Sequence, residues 1–450
     1  MTILFLVFIA LGCAVALYNW RWGIWAALLI GLVQDPWRKM ILEASGLFAM
    51  ASVPVWLVAL ASGFFSGELR PRRFMSTFPR LASWMHIFLA YLILPAILSA
   101  TYGRGSWQIT LLGLVVYGMA FLMLFAGYAY ARNHLELDRL LMFYAVVAGL
   151  VLVGGPLEYL LGNGAHPALG TVSLGAVWVT HRTGEAVYMM TGFFRGPDVM
   201  GWHAAMVFMI ATIFALRSRG ATRWLWAGLA LWAVLSMWIC GRRKIISMMP
   251  VFAGALAFLV FYYRDARRLL AVVSIVVVLV GMATLTVNAL VRDSSVYEYY
   301  LTTFSEAGGQ LRSHGFDSVL TTLNQAGFWG YGLGMGQQGL HHLQVEKPRL
   351  WQESGPTKAA AELGLPGMIL FIIMFWFLFR TALSCMKSHA RDKDFVLFAG
   401  IMAILLANLV AAIVSAQIYT DPFIAMILAL LTGLIFGSVR FSVNREDAAP

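Results

Sequence analysis

Three adjacent cations, Arg242, Arg243 and Lys244, stand between two apolar runs of the sequence, at 222–240 and 245–262. Arginine presents a planar fork of N–H donors that holds phosphate oxygens at two points, so this triplet suits an anion such as a diphosphate. The alternative interpretation is a helix end whose basic side chains extend to lipid phosphates. Both interpretations place the triplet at a membrane interface.

A fourth candidate cation lies in the segment 192–198, which reads Gly-Phe-Phe-Arg-Gly-Pro-Asp. The Gly-Pro pair breaks a helix just before a long apolar run. Arg195 therefore lies near the membrane edge. It either forms an ion pair with Asp198 or faces the same pocket as Arg242.

The polar segment 291–358 holds the candidate acid–base residues, which are His341, His342 and Glu353. A histidine or a carboxylate in such a group can act as a general base, and Arg312 adds a cation upstream. Because adjacent residues on a helix point about 100° apart, the two histidines do not suit a shared metal ion. We therefore predict no metal site.

A glycine-rich stretch at 327–339 precedes these residues, with five glycines between 330 and 339. So many glycines exclude a stable helix interior. The stretch lacks the Gly-Lys-Ser/Thr ending of a phosphate-binding loop, so a phosphate cradle and a tight turn packed on the membrane face both stay open. Farther on, the string Glu-Leu-Gly-Leu-Pro-Gly at 362–367 predicts a turn or kink at the start of a helix.

The elements that position these residues follow from composition. The chain has 450 residues, of which 60% are hydrophobic and 12% charged, against roughly 25% charged in soluble domains. Its apolar runs are long enough to cross a bilayer as helices. We predict an all-α polytopic membrane protein with 12 or 13 transmembrane helices, from runs at 3–18, 22–34, 46–65, 82–100, 106–130, 139–161, 199–216, 222–240, 245–262, 269–290, 359–380, 395–417 and 421–439.

Orientation follows from lysine and arginine, which concentrate in alternate loops and mark the cytoplasmic side. This rule places the triplet on the outer face, where three adjacent cations are unusual. It divides the chain into six parts: N-terminal spans (1–161), an outer segment (162–198), central spans (199–290), a long extracytoplasmic loop (291–358), C-terminal spans (359–440) and a cytoplasmic tail (441–450). The net charge of +11 then reflects loops that meet anionic membrane lipids, and we predict no nucleic-acid partner.

Four motifs, in this order, resemble the O-antigen ligase and polymerase superfamily of bacterial envelope enzymes. The resemblance spans about residues 190–380. The motifs are Gly-Phe-Phe-Arg-Gly-Pro-Asp at 192–198, Cys-Gly-Arg-Arg-Lys at 240–244, Arg312 followed by Gly-Tyr-Gly-Leu-Gly at 330–334, and Glu-Leu-Gly-Leu-Pro-Gly at 362–367.

The resemblance implies a GT-C-like fold and a metal-independent, inverting glycosyltransferase without a cofactor. The donor would be an undecaprenyl-diphosphate-linked oligosaccharide or polysaccharide, used on the outer face of the bacterial inner membrane. The acceptor would be a glycan or a lipid, and a chain-length regulator is an expected partner. In this interpretation Arg242 and Arg312 stabilise the leaving diphosphate, with Arg195 or Arg243 assisting.

The chain differs from the family pattern at the residue expected to act as the catalytic general base. Family members often carry a His-Asn pair about nine residues before the Glu-Leu-Gly string, and here that spacing falls on Glu353 and Ser354. Glu353 is then the expected base, with His341 or His342 as alternatives. The missing histidine favours a polysaccharide polymerase over a ligase to lipid A core or another envelope acceptor.

A membrane transporter is the alternative of a different class, since broken helices and intramembrane charges occur there too. Against it, the runs between 199 and 290 contain almost no ionisable residues apart from His203, and no inverted repeat is evident.

Overall fold

The computed structural model describes residues 1–41, 46–182, 185–263, 281, 309, 318–336, 352, 354–414 and 421–446. Helices dominate these residues. In chain order they are α1 Thr2–Tyr18, α2 Trp20–Lys39, α3 Ser52–Phe65, α4 Pro71–Thr77, α5 Pro79–Tyr91, α6 Ile93–Ala100, α7 Ser106–Tyr130, α8 His134–Val151, α9 Gly154–Leu161, α10 Pro197–Arg217, α11 Ala221–Ile239, α12 Arg243–Ile246, α13 Met248–Tyr263, α14 Ser318–Ala326, α15 Gly355–Ser388, α16 Phe395–Val414 and α17 Pro422–Glu446.

The other elements are short. Two 3₁₀ helices cover Gly46–Met50 and Val172–Leu174. Strands β1, Val179–Arg182, and β2, Glu185–Tyr188, form an antiparallel hairpin in which Val179 lies opposite Tyr188. This hairpin falls inside the segment predicted to lie outside the membrane.

Within the described residues, nine helical segments are long and apolar enough to cross a membrane. They are Phe48–Phe65, Pro79–Ala100, Ser106–Tyr130, His134–Leu161, Pro197–Arg217, Lys244–Tyr263, Gly355–Ser388, Phe395–Ile413 and Pro422–Phe441. Each corresponds to one predicted run, which confirms a polytopic helical membrane protein.

Four predicted runs are not among these nine segments. The run at 3–18 forms α1, an apolar helix of 17 residues. The runs at 22–34 and 222–240 form helices α2 and α11. The run at 269–290 lies outside the described residues, apart from Gly281. The predicted total of 12 or 13 spans therefore stays a prediction, as does the GT-C-like fold.

The chain divides into two compact units. The first comprises Met1–Glu68, Asn133–Ser305 and His389–Ala407, and the second comprises Leu69–Arg132, Glu306–Ser388 and Asn408–Pro450.

Helix α10 lies at the centre of the first unit. Its residues from Met200 to Ala215 are buried on every side, because α8, α11 and α13 pack around it. A helix that is apolar all round is expected in such a position. Pro197 occupies the first turn, where a missing N–H costs nothing, and Asp198 complements the positive end of the helix dipole.

The second unit contains a very close helix pair, α7 and α17. A Cβ atom on Gly127 would lie 2.2 Å from the carbonyl oxygen of Leu430, and one on Gly433 would lie 2.2 Å from that of Leu124. Small residues allow the two backbones to approach, which is a common way for membrane helices to associate. In α15 of the same unit, Gly364 has a left-handed conformation, with φ of 65°, and breaks the helix as the Gly/Pro string predicts.

Candidate functional site

Arg242 lies in the turn between α11 and α12, next to the start of α10. Its Nη2 lies 2.8 Å from Oδ2 of Asp198, and its guanidinium carbon lies 5.6 Å from the ring centre of Trp178. Among the described residues, Nε of Arg242 has no hydrogen-bond partner. About a quarter of the side chain is exposed, at 24%, whereas the unpartnered Nε is itself buried.

The turn before Arg242 depends on Gly241, which has a left-handed φ of 75°. A Cβ atom there would lie 3.1 Å from Cγ of Met189. Met189 also donates its backbone N–H to the carbonyl of Trp178, at 3.0 Å, and so closes the base of the β hairpin. The hairpin base and the turn that carries Arg242 are therefore packed together.

Arg195 lies on the loop that leads into α10 and pairs with a residue far away in the sequence. Its backbone N–H donates to Oδ2 of Asp35 at 3.1 Å, and its Nη1 donates to Oδ1 at 3.3 Å. Asp35 lies near the end of α2 and is 3% exposed, whereas the Arg195 side chain is 20% exposed. Arg195 thus forms an ion pair with Asp35, whereas Asp198, the partner considered from the sequence, pairs with Arg242. The second interpretation, a pocket shared by Arg195 and Arg242, stays a prediction.

Two more buried charges hold the loop that carries Arg195. Lys39 donates to the carbonyl oxygens of Gly192 and Phe194, at 2.9 and 2.6 Å. Glu158, on α9, accepts the backbone N–H groups of Thr191 and Gly192, at 2.8 and 2.6 Å. The backbone of this loop is thus bound by side chains from two helices.

The electrostatics of the cluster follow from burial. Burial lowers the pKa of Lys39 from 10.5 to about 8; Asp35 and Glu158 oppose this shift, and Arg38 adds to it. The pKa of Arg38 is also lowered by burial, against the pull of Asp35 and with the repulsion of Arg195. These shifts arise mainly from burial of the two cations, and the nearby carboxylates offset part of that cost.

The remaining predicted site residues lie outside what the structure describes. They are Arg312, His341, His342 and Glu353, together with the side chain of Arg243, whose backbone begins α12. Their assigned roles stay predictions. Lys244 is described and lies partly buried in α12.

The glycine-rich stretch is described from Gly327 to Gly336, in the second unit, and forms a packed turn. The backbone N–H of Tyr331 donates to the carbonyl of Ala361 at 2.6 Å, and that of Gly332 donates to the carbonyl of Glu362 at 3.1 Å. These donors are used within the protein. The geometry favours a tight turn over a phosphate cradle for this part of the stretch.

Glu362 anchors that turn from inside α15. It is fully buried and accepts hydrogen bonds from the hydroxyl of Tyr117 at 2.9 Å and from the backbone N–H of Gly336 at 3.0 Å. Nζ of Lys358 lies 4.0 Å from Oε1 of Glu362, one turn away on the same helix. A lysine–carboxylate pair is thus buried inside a candidate membrane span.

Five buried charged residues of these clusters were not predicted as site residues from the sequence: Asp35, Lys39, Glu158, Lys358 and Glu362. A signal for Glu158 was present, because it is a lone carboxylate in the apolar run 139–161, and ionisable residues within membrane segments are usually functional. The run 22–34 likewise ends abruptly in Asp35 and the basic pair Arg38 and Lys39.

Comparison with known proteins adds no assignment. No protein-family model matches the chain, and no similar sequence was found among curated proteins.

Proposed function

We propose that this membrane protein is a glycosyltransferase that polymerises or transfers an undecaprenyl-diphosphate-linked polysaccharide on the outer face of the bacterial inner membrane. One observation carries the proposal. Two arginines with partly exposed side chains, Arg195 and Arg242, lie at the start of a buried helix, and the buried cations Arg38 and Lys39 lie near Arg195. Cations of this kind suit the diphosphate at the end of a polyprenyl chain, because a guanidinium binds phosphate oxygens at two points.

The chemistry follows from where charge develops. As the bond between the anomeric carbon and the diphosphate oxygen breaks, the leaving diphosphate gains negative charge. Cations already fixed in place stabilise that charge without reorganising, which is the largest contribution in many enzymes. Arg242 suits this role best, because its side chain is partly exposed and its Nη2 is held by Asp198.

The rest of the mechanism rests on the sequence. The acceptor hydroxyl attacks the anomeric carbon from the face opposite the diphosphate, so the new glycosidic bond has inverted configuration. Glu353 takes the hydroxyl proton, with His341 or His342 as alternatives, and Arg312 is a further diphosphate ligand. The reaction uses no metal or cofactor in this account.

The acceptor separates the two forms of the proposal. With a second lipid-linked glycan as acceptor the protein is a polymerase, and a chain-length regulator is then its expected partner. With lipid A core or another envelope molecule as acceptor it is a ligase. The replacement of the expected His-Asn pair by Glu353 and Ser354 favours the polymerase.

The direct test incubates the purified protein with a lipid-diphosphate-linked glycan, with and without a candidate acceptor. Extension of the glycan without added acceptor supports the polymerase, and transfer only with acceptor supports the ligase. Glu353→Gln should reduce turnover about 10²–10⁴-fold while donor binding is retained. Normal turnover in this variant would exclude Glu353 as the base and move the test to His341 and His342.

A transporter is a second candidate, and one observation favours it. The buried pair Lys358 and Glu362 lies within the candidate span Gly355–Ser388, where ionisable residues often serve ion or substrate movement. Proteoliposomes that accumulate a lipid-diphosphate glycan without making a new glycosidic bond would favour the transporter over the enzyme.

A further inference from the structure

The loop 191–195 is short, yet charged side chains bind it at five backbone groups. Glu158 accepts two N–H groups, Lys39 donates to two carbonyl oxygens, and Asp35 accepts one N–H group. The five backbone groups are the N–H of Thr191, Gly192 and Arg195 and the C=O of Gly192 and Phe194.

These charged residues are removed from water. Glu158 is 1% exposed, and Asp35 and Lys39 are each 3% exposed. Burying a charge costs free energy that is recovered only with close partners, and removing one partner leaves the other charge uncompensated. An apolar contact would hold a loop at a lower cost. A charged network of this kind instead fixes a single backbone geometry, because each hydrogen bond has a defined direction.

The network determines where Arg195 lies. Asp35 binds both the backbone and the guanidinium of Arg195, and the preceding residue, Phe194, stacks on the ring of His203 at 5.0 Å. The loop is therefore held from α2, from α9 and from α10. The side chain of Arg195 keeps partial solvent exposure, at 20%.

We infer that Lys39 and Glu158 are positioning residues, which fix the loop 191–195 so that the guanidinium of Arg195 meets the diphosphate of a polyprenyl-linked substrate. This inference rests on the proposed function for the identity of the anion. The positioning itself does not depend on that function and has its own measurement.

Deprotonation of Lys39 should make the affinity for an anionic ligand depend on pH, which gives a second test of its role. The charged groups around it are Asp35 and Arg38 on its own helix and Glu158 on α9, and burial brings its pKa to about 8. As the pH rises through this value, the ammonium loses its charge, its hydrogen bonds to Gly192 and Phe194 weaken, and the cation cluster becomes less positive. Affinity for an anionic ligand should then fall across about pH 8.

The first test follows backbone hydrogen exchange in the peptide that covers 189–198, in detergent-solubilised protein. Lys39→Met and Glu158→Leu should each speed exchange about tenfold, since each removes hydrogen bonds to a charged group. Glu158→Gln keeps an acceptor oxygen and should change exchange far less. Arg21→Met removes a cation at the opposite end of α2, where Arg21 pairs with Glu68, and should leave this peptide unchanged.

The second test measures binding of farnesyl diphosphate, a short polyprenyl diphosphate, as a function of pH. Arg195→Ala and Lys39→Met should each weaken binding about tenfold near neutral pH. Lys39→Met should also abolish the loss of affinity above about pH 8.

The outcomes separate the two claims. Unchanged exchange in Lys39→Met and Glu158→Leu would overturn the positioning role, whatever the protein binds. Faster exchange together with unaltered farnesyl diphosphate binding in Arg195→Ala would preserve the positioning role and contradict the diphosphate assignment. Equally accelerated exchange in Glu158→Gln and Glu158→Leu would support the positioning role and assign it to the charge of Glu158.

Discussion

The two ends of α10 carry charge clusters that differ in how their cations and carboxylates are paired. At its last turn, Arg217 forms hydrogen bonds with both carboxylate oxygens of Asp138, at 2.5 and 3.0 Å, and with Asp394 at 2.8 Å. One arginine there binds two carboxylates, and Lys393 adds a positive charge near Asp394. At the first turn, the cations Arg38, Lys39, Arg195 and Arg242 stand among the carboxylates Asp35, Glu158 and Asp198.

The difference teaches which cluster suits a ligand. The guanidinium of Arg217 is bound by the carboxylates of Asp138 and Asp394, so this cluster stabilises the fold. The first-turn cluster, counted over the residues just named, has one more cation than carboxylates. It also retains buried Nε donors on Arg38 and Arg242 that have no partner among the described residues. An anion would complete the first-turn cluster, whereas it would have to displace a carboxylate at Arg217.

The largest expected effect comes from Arg242→Ala. Loss of one preorganised donor to developing negative charge typically lowers turnover about 10²–10³-fold, and we expect this range for glycan extension or transfer. Loss of the ion pair with Asp198 should also cost stability, so turnover is normalised to the folded protein measured by size-exclusion chromatography. Arg242→Lys should recover only part of the activity, because an ammonium lacks the planar fork.

Arg217→Ala is the matched change at the other end of the helix, and it should act on stability. Two carboxylates lose their common partner, and we expect a loss of roughly 1–3 kcal/mol, reduced by their partial exposure. Thermal unfolding in detergent measures it. Turnover per folded molecule should stay within about twofold of the unmodified protein. A selective loss of turnover with unchanged stability would remove the distinction between the two clusters.

Acid should weaken the ion pair between Arg217 and Asp394 over a pH range set by the pKa of Asp394. Burial alone would raise the pKa of Asp394, but the hydrogen bonds and charge of Arg217 bring it below its ordinary value of 3.8. A carboxylate with a lowered pKa adds stability above its unfolded value and loses it as pH falls through the folded value. The melting temperature should therefore decline as pH falls through 3.8 and below. This decline should be smaller in Arg217→Gln, and an identical decline would assign it to other carboxylates.

The smallest expected effect is that of a chelator. If fixed cations replace a metal at the diphosphate, millimolar EDTA should leave turnover unchanged. Strong inhibition that magnesium or manganese reverses would contradict the metal-independent mechanism and would reduce the first-turn cluster to a supporting role.

Local features of the chain were predictable from the sequence. The run at 199–216 became the span Pro197–Arg217, because its apolar residues are continuous and Gly-Pro fixes its start. The break at Gly364 was predicted for the same kind of reason, since glycine and proline act on the backbone where they stand.

The partners in the candidate site were not predictable in the same way. Asp35 and Arg195 are 160 residues apart, and Lys39 and Gly192 are 153 apart. Composition and periodicity report which residues face lipid, but they do not report which helix ends meet. Asp198 was therefore considered as a partner of Arg195 by proximity in the sequence, whereas tertiary packing brings it to Arg242.

The central claim is that the first-turn cluster of α10 binds the leaving diphosphate. Its most direct test compares glycan transfer from a polyprenyl-diphosphate donor by the purified protein, Arg242→Ala and Arg217→Ala, each normalised to folded protein. We predict that Arg242→Ala loses transfer about 10²–10³-fold while Arg217→Ala retains it. Full transfer by Arg242→Ala would contradict the claim.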